Sequence, residues 1–139
     1  LNVGSSADIV PLCDAKVLIA DNVAQRVDVV DARAGVIVKS WSFSAHPFRL
    51  ELATGSSRVF VTFLNSSQLS VIDLATNTVL KAIPTGEFPE GIETDPGGRY
   101  VYVACWDANT LEQIDTQTLE VVARIPVGNG PRAFGAFLR

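Results

Sequence analysis

A chain of 139 residues, 47% hydrophobic and 19% charged, has the composition of a folded globular domain rather than of a disordered tail. Its net charge of −4, with Lys and Arg scattered, provides no basic stripe for nucleic acid, and no apolar run approaches the roughly 18 residues of a membrane-spanning helix. One His and two Cys make a multi-His metal site, a self-contained catalytic triad or a disulfide framework poor expectations. The first residue is Leu, no apolar secretory segment opens the chain, and Met is absent. That pattern is expected of a processed chain or of a portion of a longer one.

In chain order, the first unit lies near residues 7–43 and contains VLIADNVAQRVDVVD at 17–31. The second, near 48–85, contains VFVTFLNSSQLSVID at 59–73, and the third, near 91–127, contains VYVACWDANTLEQID at 101–115. These align without gaps. Their closing Asp31, Asp73 and Asp115 recur every 42 residues, and Pro47, Pro89 and Pro131 keep the same period. A fixed period of this length marks a repeat architecture.

Within the second unit, four strands are predicted: FRLELA at 48–53, RVFVTFL at 58–64, LSVIDLA at 69–75 and TVLKAIP at 78–84. TGSS, NSSQ and the pair TN are the expected turns between them. In the third unit, Val101, Val103 and Cys105 share one strand face, and Tyr100, Tyr102 and Ala104 share the other. Both rows are largely apolar, as in a strand covered on two sides. No segment carries a helical period. After the third unit, AFGAFL at 133–138 matches the first strand of a further unit.

The predicted class is therefore all-β: a β-propeller of four-stranded antiparallel blades, about three blades plus one extra strand, forming a single partial domain over 1–139. A β-sandwich has similar turns but nothing that forces its hairpins into one 42-residue register. Parallel solenoids usually have shorter repeats. Propellers commonly close with four to eight blades. Three readings follow: a portion of a longer propeller, a chain whose copies associate to close the ring (two giving six blades), or an open array. The first unit lacks the repeating proline and runs about two residues out of step at its first strand.

The elements GIETDPGGRYVYVA and IDTQTLEVVARIPVGNGP, with the preceding prolines, resemble the YVTN-type β-propeller repeat of surface-layer-like and periplasmic proteins. The family's eponymous element corresponds to YVACW, FVTFL and LIADN in the three units. The resemblance implies a bacterial or archaeal periplasmic or extracellular protein. Related propellers include lactonase-like enzymes and propeller parts of haem, quinone and copper redox enzymes. The pair Trp106-Asp107 does not mark a WD repeat, because it follows the second strand rather than ending the third, and no Gly-His pair precedes it.

In such a fold, functional groups gather on the face built from blade-to-blade loops and second-to-third-strand loops. SAHPF, TGEFPEG and VGNGPRA are the loops of the first kind. His46, Arg49, Glu51, Glu90, Glu93 and Arg132 are the candidate ligand or partner residues. A metal role for His46 requires partners from further blades. Glu51 and Glu93 sit one period apart on the innermost strand and are expected to face the channel. Arg49 and Arg132 suit an anionic group or an ion pair with Glu90 or Glu93. Asp31, Asp73 and Asp115 recur with the fold and are read as turn caps. Trp41 and Trp106 are read as inter-blade packing, and Cys13 and Cys105, placed far apart, as free thiols.

No catalytic constellation, metal or cofactor is predicted. The leading expectation is a non-catalytic binding or structural module, with a protein partner, further blades of the same protein or other copies of the chain as its neighbours. A redox or hydrolytic enzyme completed by other blades or another subunit is the alternative, and a self-assembling surface array is a third.

Overall fold

The computed structural model describes residues 6–132, so the predicted strand at 133–138 lies outside the described residues. Twelve strands form three separate four-stranded antiparallel sheets. Blade one contains β1 (Ser6–Pro11), β2 (Lys16–Asp21), β3 (Arg26–Asp31) and β4 (Val36–Ser42). Blade two contains β5 (His46–Leu52), β6 (Arg58–Leu64), β7 (Gln68–Asp73) and β8 (Thr78–Pro84). Blade three contains β9 (Pro89–Thr94), β10 (Tyr100–Cys105), β11 (Thr110–Asp115) and β12 (Glu120–Pro126). Each sheet is a meander in sequence order.

Strand β6 is apolar on both faces because blade two packs between blades one and three. Val59, Val61 and Phe63 of β6 join Leu18, Val27, Val29 and Trp41 in a core between blades one and two. Phe60, one residue out of phase, points the other way and joins Val101, Val103 and Ile114 between blades two and three. This is the period-two alternation of a strand with no solvent face. Val59, Phe60 and Val61 are all fully buried, and each such side chain contributes about 1.5–3 kcal/mol of transfer free energy.

Several boundaries differ from the sequence expectation, for local reasons. The first strand of blade two begins at His46 rather than at 48, because Pro47 already pairs with Phe63 before a bulge interrupts the register ahead of Leu50. The turn between β7 and β8 contains four residues, not the pair TN alone. Asp73 accepts the Ala75 N–H across it, and Asn77 takes the left-handed conformation at φ 58°. Blade one is out of step by one residue rather than two: Val17 pairs with Pro11, where Val59 pairs with Leu52. Its β1–β2 turn is one residue tighter, with Asp14 and Ala15 both at positive φ and a Lys16 N–H to Cys13 C=O bond of 3.2 Å. Those are the marks of a type I′ hairpin turn.

The recurrent aspartates cap the turn between third and fourth strands in every blade. Asp31 accepts the Arg33 and Ala34 N–H groups, and Asp115 those of Gln117 and Thr118. Asp73 accepts the Ser57 hydroxyl as well as the Ala75 N–H. All three carboxyls are held below the ordinary carboxylate range. The leading cause is the backbone bond from Ala34 for Asp31 and from Thr118 for Asp115, and the Ser57 hydroxyl for Asp73.

Candidate functional site

The two kinds of loop meet at one end of each blade, as the sequence implies. The N–H groups of Phe43, Thr85 and Val127, one period apart, donate to the carbonyls of Gln25, Ser67 and Asn109 at 2.8, 2.9 and 3.0 Å. The blade-to-blade loop is thus tied to the second-to-third-strand turn of the blade it leaves. At the start of each innermost strand the register shifts: between Ser6 and Asp8 on β1, between Pro47 and Leu50 on β5, and opposite Ala104 and Cys105 on β9. Bulges of this kind re-aim side chains, and here they take Arg49 and Glu90 out of the ladder. The Arg49 N–H, released from the ladder, donates to the Thr62 hydroxyl at 3.2 Å.

His46 is exposed and tied to blade one. Its Nδ1 lies 2.9 Å from the Asn22 carbonyl. A carbonyl only accepts, so Nδ1 carries the proton and donates. Nε2 is left as the acceptor in the neutral ring, 3.4 Å from the Gln25 amide nitrogen. Asn22 in turn donates to the Pro47 carbonyl at 3.1 Å. The ring therefore stitches the first loop to the first turn.

The inner wall carries a chain of carboxylates, each reaching forward to the next blade. Asp8 accepts the Leu50 N–H at 2.8 Å and faces Arg49 at 3.5 Å. Glu51 accepts the Thr94 N–H at 2.8 Å. Inner strands of neighbouring blades diverge and cannot form a ladder, so these side chains satisfy N–H groups that the sheet leaves open. Arg49, Glu51 and Glu93 all line one cleft of about 410 Å³ between β5 and β9. Glu51 and Glu93, one period apart, thus line the same cleft. Arg49 pairs with Asp8, a residue that the repeat alignment did not single out.

The mouth of blade three is different in character. Arg132 meets Glu90 at 3.2 Å and lies over the Trp106 ring, with its guanidinium carbon 4.7 Å from the centroid. Trp106 packs edge-on against Phe88 at 5.7 Å. Gly130 makes this possible: a Cβ there would lie 2.5 Å from the indole nitrogen. Glu90 is buried while Arg132 is half exposed. The carboxylate therefore fixes a guanidinium that still faces solvent. Trp106 was expected between blades; it stands instead on the loop face, whereas Trp41 does bridge blades, donating to the Asn77 carbonyl at 3.2 Å. His46, Glu90 and Arg132 thus occupy the loop face, and Arg49, Glu51 and Glu93 the inner wall below it.

Beneath the second blade-to-blade loop lies a buried polar group that sequence reasoning missed. Glu112 is fully buried, and its Oε1 accepts both the Gly86 N–H and the Arg124 Nε–H at 2.9 Å. Cys105 lies beside it, and burial, followed by the Glu112 charge, pushes its thiol up to about 11. Such a thiol stays protonated and unreactive. Cys13 is exposed at the β1–β2 turn; both cysteines are free.

No protein-family model matches the chain. No curated protein matches it either. Solved structures do. Hydrazine synthase of Kuenenia stuttgartiensis superimposes with a TM-score of 0.84 at 26% identity, over 95% of this chain and 39% of that one. Dihydro-heme d1 dehydrogenase NirN, in complex with DHE, gives 0.74 at 21% identity, over 93% and 29%. The Neurospora crassa Pan2 WD40 domain gives 0.70 at 19%, over 90% and 37%. The chain spans well under half the length of each of these three structures. It has the β-propeller fold, as three blades that correspond to part of a longer propeller chain.

Proposed function

We propose that this chain is part of a larger YVTN-type propeller ring and acts outside the cytoplasm as a non-catalytic binding or structural module. Its recognition surface is the loop face of blade three. The observation that carries this reading is the Phe88–Trp106–Arg132–Glu90 cluster. A guanidinium paired with a buried carboxylate and stacked over an indole is a solvent-facing donor of the kind enriched at interaction hot spots. The ring reading is supported by one repeat position: Trp41 and Ile83 are 7% and 2% exposed against the following blade, but Ile125, one period later, is 45% exposed. A further blade covers it, from the same polypeptide or from another copy. The extracytoplasmic setting is supported by the repeat resemblance alone.

The test uses the whole natural protein. Fractionation places it in the periplasmic or extracellular fraction. A partner that co-purifies with it is lost on Arg132→Glu and retained on Lys81→Glu, a control on the outer strand β8. Equal retention by both variants removes the loop face from the account.

A second reading is favoured by the likeness to hydrazine synthase and the dihydro-heme d1 dehydrogenase. In it the ring forms part of a redox enzyme, and further blades supply the chemistry. His46 is the candidate ligand from this chain, once Gln25 releases Nε2. A stoichiometric visible chromophore or metal in the natural protein selects this reading over the first.

A further inference from the structure

Away from the loop face, blades one and two are separated by a cleft of about 750 Å³. Leu12, Trp41, Leu52 and Leu74 form its apolar floor, and Lys16 and Lys39 stand at its rim. Lys39 Nζ lies 5.7 Å from the Trp41 ring centroid. Among the described residues that line the cleft there is neither Asp nor Glu, on a chain whose net charge is −4.

At Lys81, Ile83 and Leu119, one period on from Lys39, Trp41 and Asn77, the hollow between blades two and three is smaller. The hollow there is about 230 Å³ and mixes Lys81 and Arg124 with Glu120. The difference traces to one repeat position. Leu119 occupies it in blade three, at φ 57°, and is buried in the inter-blade core. Asn77 occupies it in blade two, at φ 58°, with a side chain too short and polar to fill the space. A bulky residue is uncommon in the left-handed region. Leu119 adopts it and plugs its cleft; Asn77 leaves the other open.

The geometry points to a binding site for a small amphipathic organic anion: an apolar body on the Trp41 floor, and an acid group between Lys16 and Lys39. The volume lies within the range of small-molecule sites, about 300–1,000 Å³. The two charged groups of the lining, Lys16 and Lys39, select the sign of the polar end; Asp31, across the strand from Lys16, and Asp73, which holds Ser57, lie outside the lining. This site is independent of the loop face and stands whether or not that face binds a partner.

The test uses 1-anilinonaphthalene-8-sulfonate as the anionic probe and N-phenyl-1-naphthylamine as its neutral counterpart. In a Trp106→Phe background, Trp41 is the only tryptophan left of two. The sulfonate quenches Trp41 with a dissociation constant on the order of tens of micromolar, as expected from the efficiency of drug-sized ligands. The neutral probe binds at least about tenfold more weakly. Asn77→Leu, which transplants the blade-three plug, abolishes quenching by both while leaving the far-ultraviolet dichroism unchanged. Lys16→Glu and Lys39→Glu each weaken the sulfonate about tenfold and spare the neutral probe. Should Asn77→Leu lose the native dichroism, the lysine variants decide. Undiminished quenching in a folded Asn77→Leu protein, or equal affinity for both probes, overturns the assignment.

Discussion

Replacing Glu112 with Ala isolates the bond that holds a blade-to-blade loop onto the next blade. Glu112 is fully buried, and one oxygen accepts both Gly86 N–H and Arg124 Nε–H at 2.9 Å. A hydrogen bond to a charged acceptor is worth about 1.5–3 kcal/mol, and its removal here strands a loop N–H. The loop has little freedom to find another partner. A Cβ on Gly86 would already lie 2.7 Å from the Ala108 Cβ, so the backbone is wedged against blade three. The Arg124 side chain is 58% exposed and rehydrates when its partner is removed, so the ion pair adds no more than about 1 kcal/mol. The sum is about 3 kcal/mol for Glu112→Ala. Glu112→Gln keeps an oxygen that accepts the Gly86 N–H while removing the charge, and costs less than about 1.5 kcal/mol. The assay is urea unfolding followed by far-ultraviolet dichroism. With a slope of about 2 kcal/mol per molar, Glu112→Ala lowers the midpoint by about 1.5 M and Glu112→Gln by less than about 0.8 M. If Glu112→Gln is as costly as Glu112→Ala, the ion pair and not the loop bond is the source, and the reasoning fails.

Gly98 and Gly55 separate backbone conformation from close approach. Both have positive φ, but a Cβ on Gly98 would lie 2.2 Å from the Thr54 carbonyl oxygen, while Gly55 has open space. Gly98→Ala is expected to cost about 3 kcal/mol or more and Gly55→Ala about 1 kcal/mol, read by the same urea assay; equal costs would contradict the blade contact. The capping aspartates set an acid limit. Their folded carboxyls titrate below the ordinary 3.8. Their contribution is therefore fully present above that value and is lost as pH falls through the lower folded values. The Asp31→Asn, Asp73→Asn, Asp115→Asn triple variant flattens the fall of the thermal midpoint below pH 4, and an unchanged acid limb refutes the capping account. Thiol titration with a disulfide reagent at pH 8 finds one reactive group in the native chain, the exposed Cys13. Cys105, fully buried with its thiol pushed up to about 11, reacts only on unfolding; rapid reaction of both contradicts the burial.

The fold was legible because the repeat writes the same constraint three times. The cap that Asp31, Asp73 and Asp115 provide is a local requirement of one turn, so the residue returns wherever the turn does. The double-sided apolar row of β6 likewise reports a local fact, that both its faces are covered; on β10 the Val101, Val103 and Cys105 face is buried against blade two, whereas Tyr100 and Tyr102 on the other face are half-buried. The site was legible only as a region. Which group Arg49 pairs with depends on Asp8, from a blade whose register had slipped. The place of Trp106 depends on the return of the chain through Gly130 and Arg132, residues 24 and 26 positions further on. The inter-blade cleft left no mark in composition, because it arises from a missing side chain: Asn77 where its repeat partner is Leu119. Deviations from a repeat carry the individuality of a repeat protein, and they become interpretable only when the three blades are superimposed.

The central claim is that these three blades are part of a closed ring. An experimental structure of the whole natural protein tests it most directly. The account predicts a ring of four to eight blades in which Ile125 is buried by a following blade as Ile83 is, from 45% exposed to the few per cent seen at the equivalent position. A natural protein in which blade three ends the array and Ile125 stays open to solvent would contradict it.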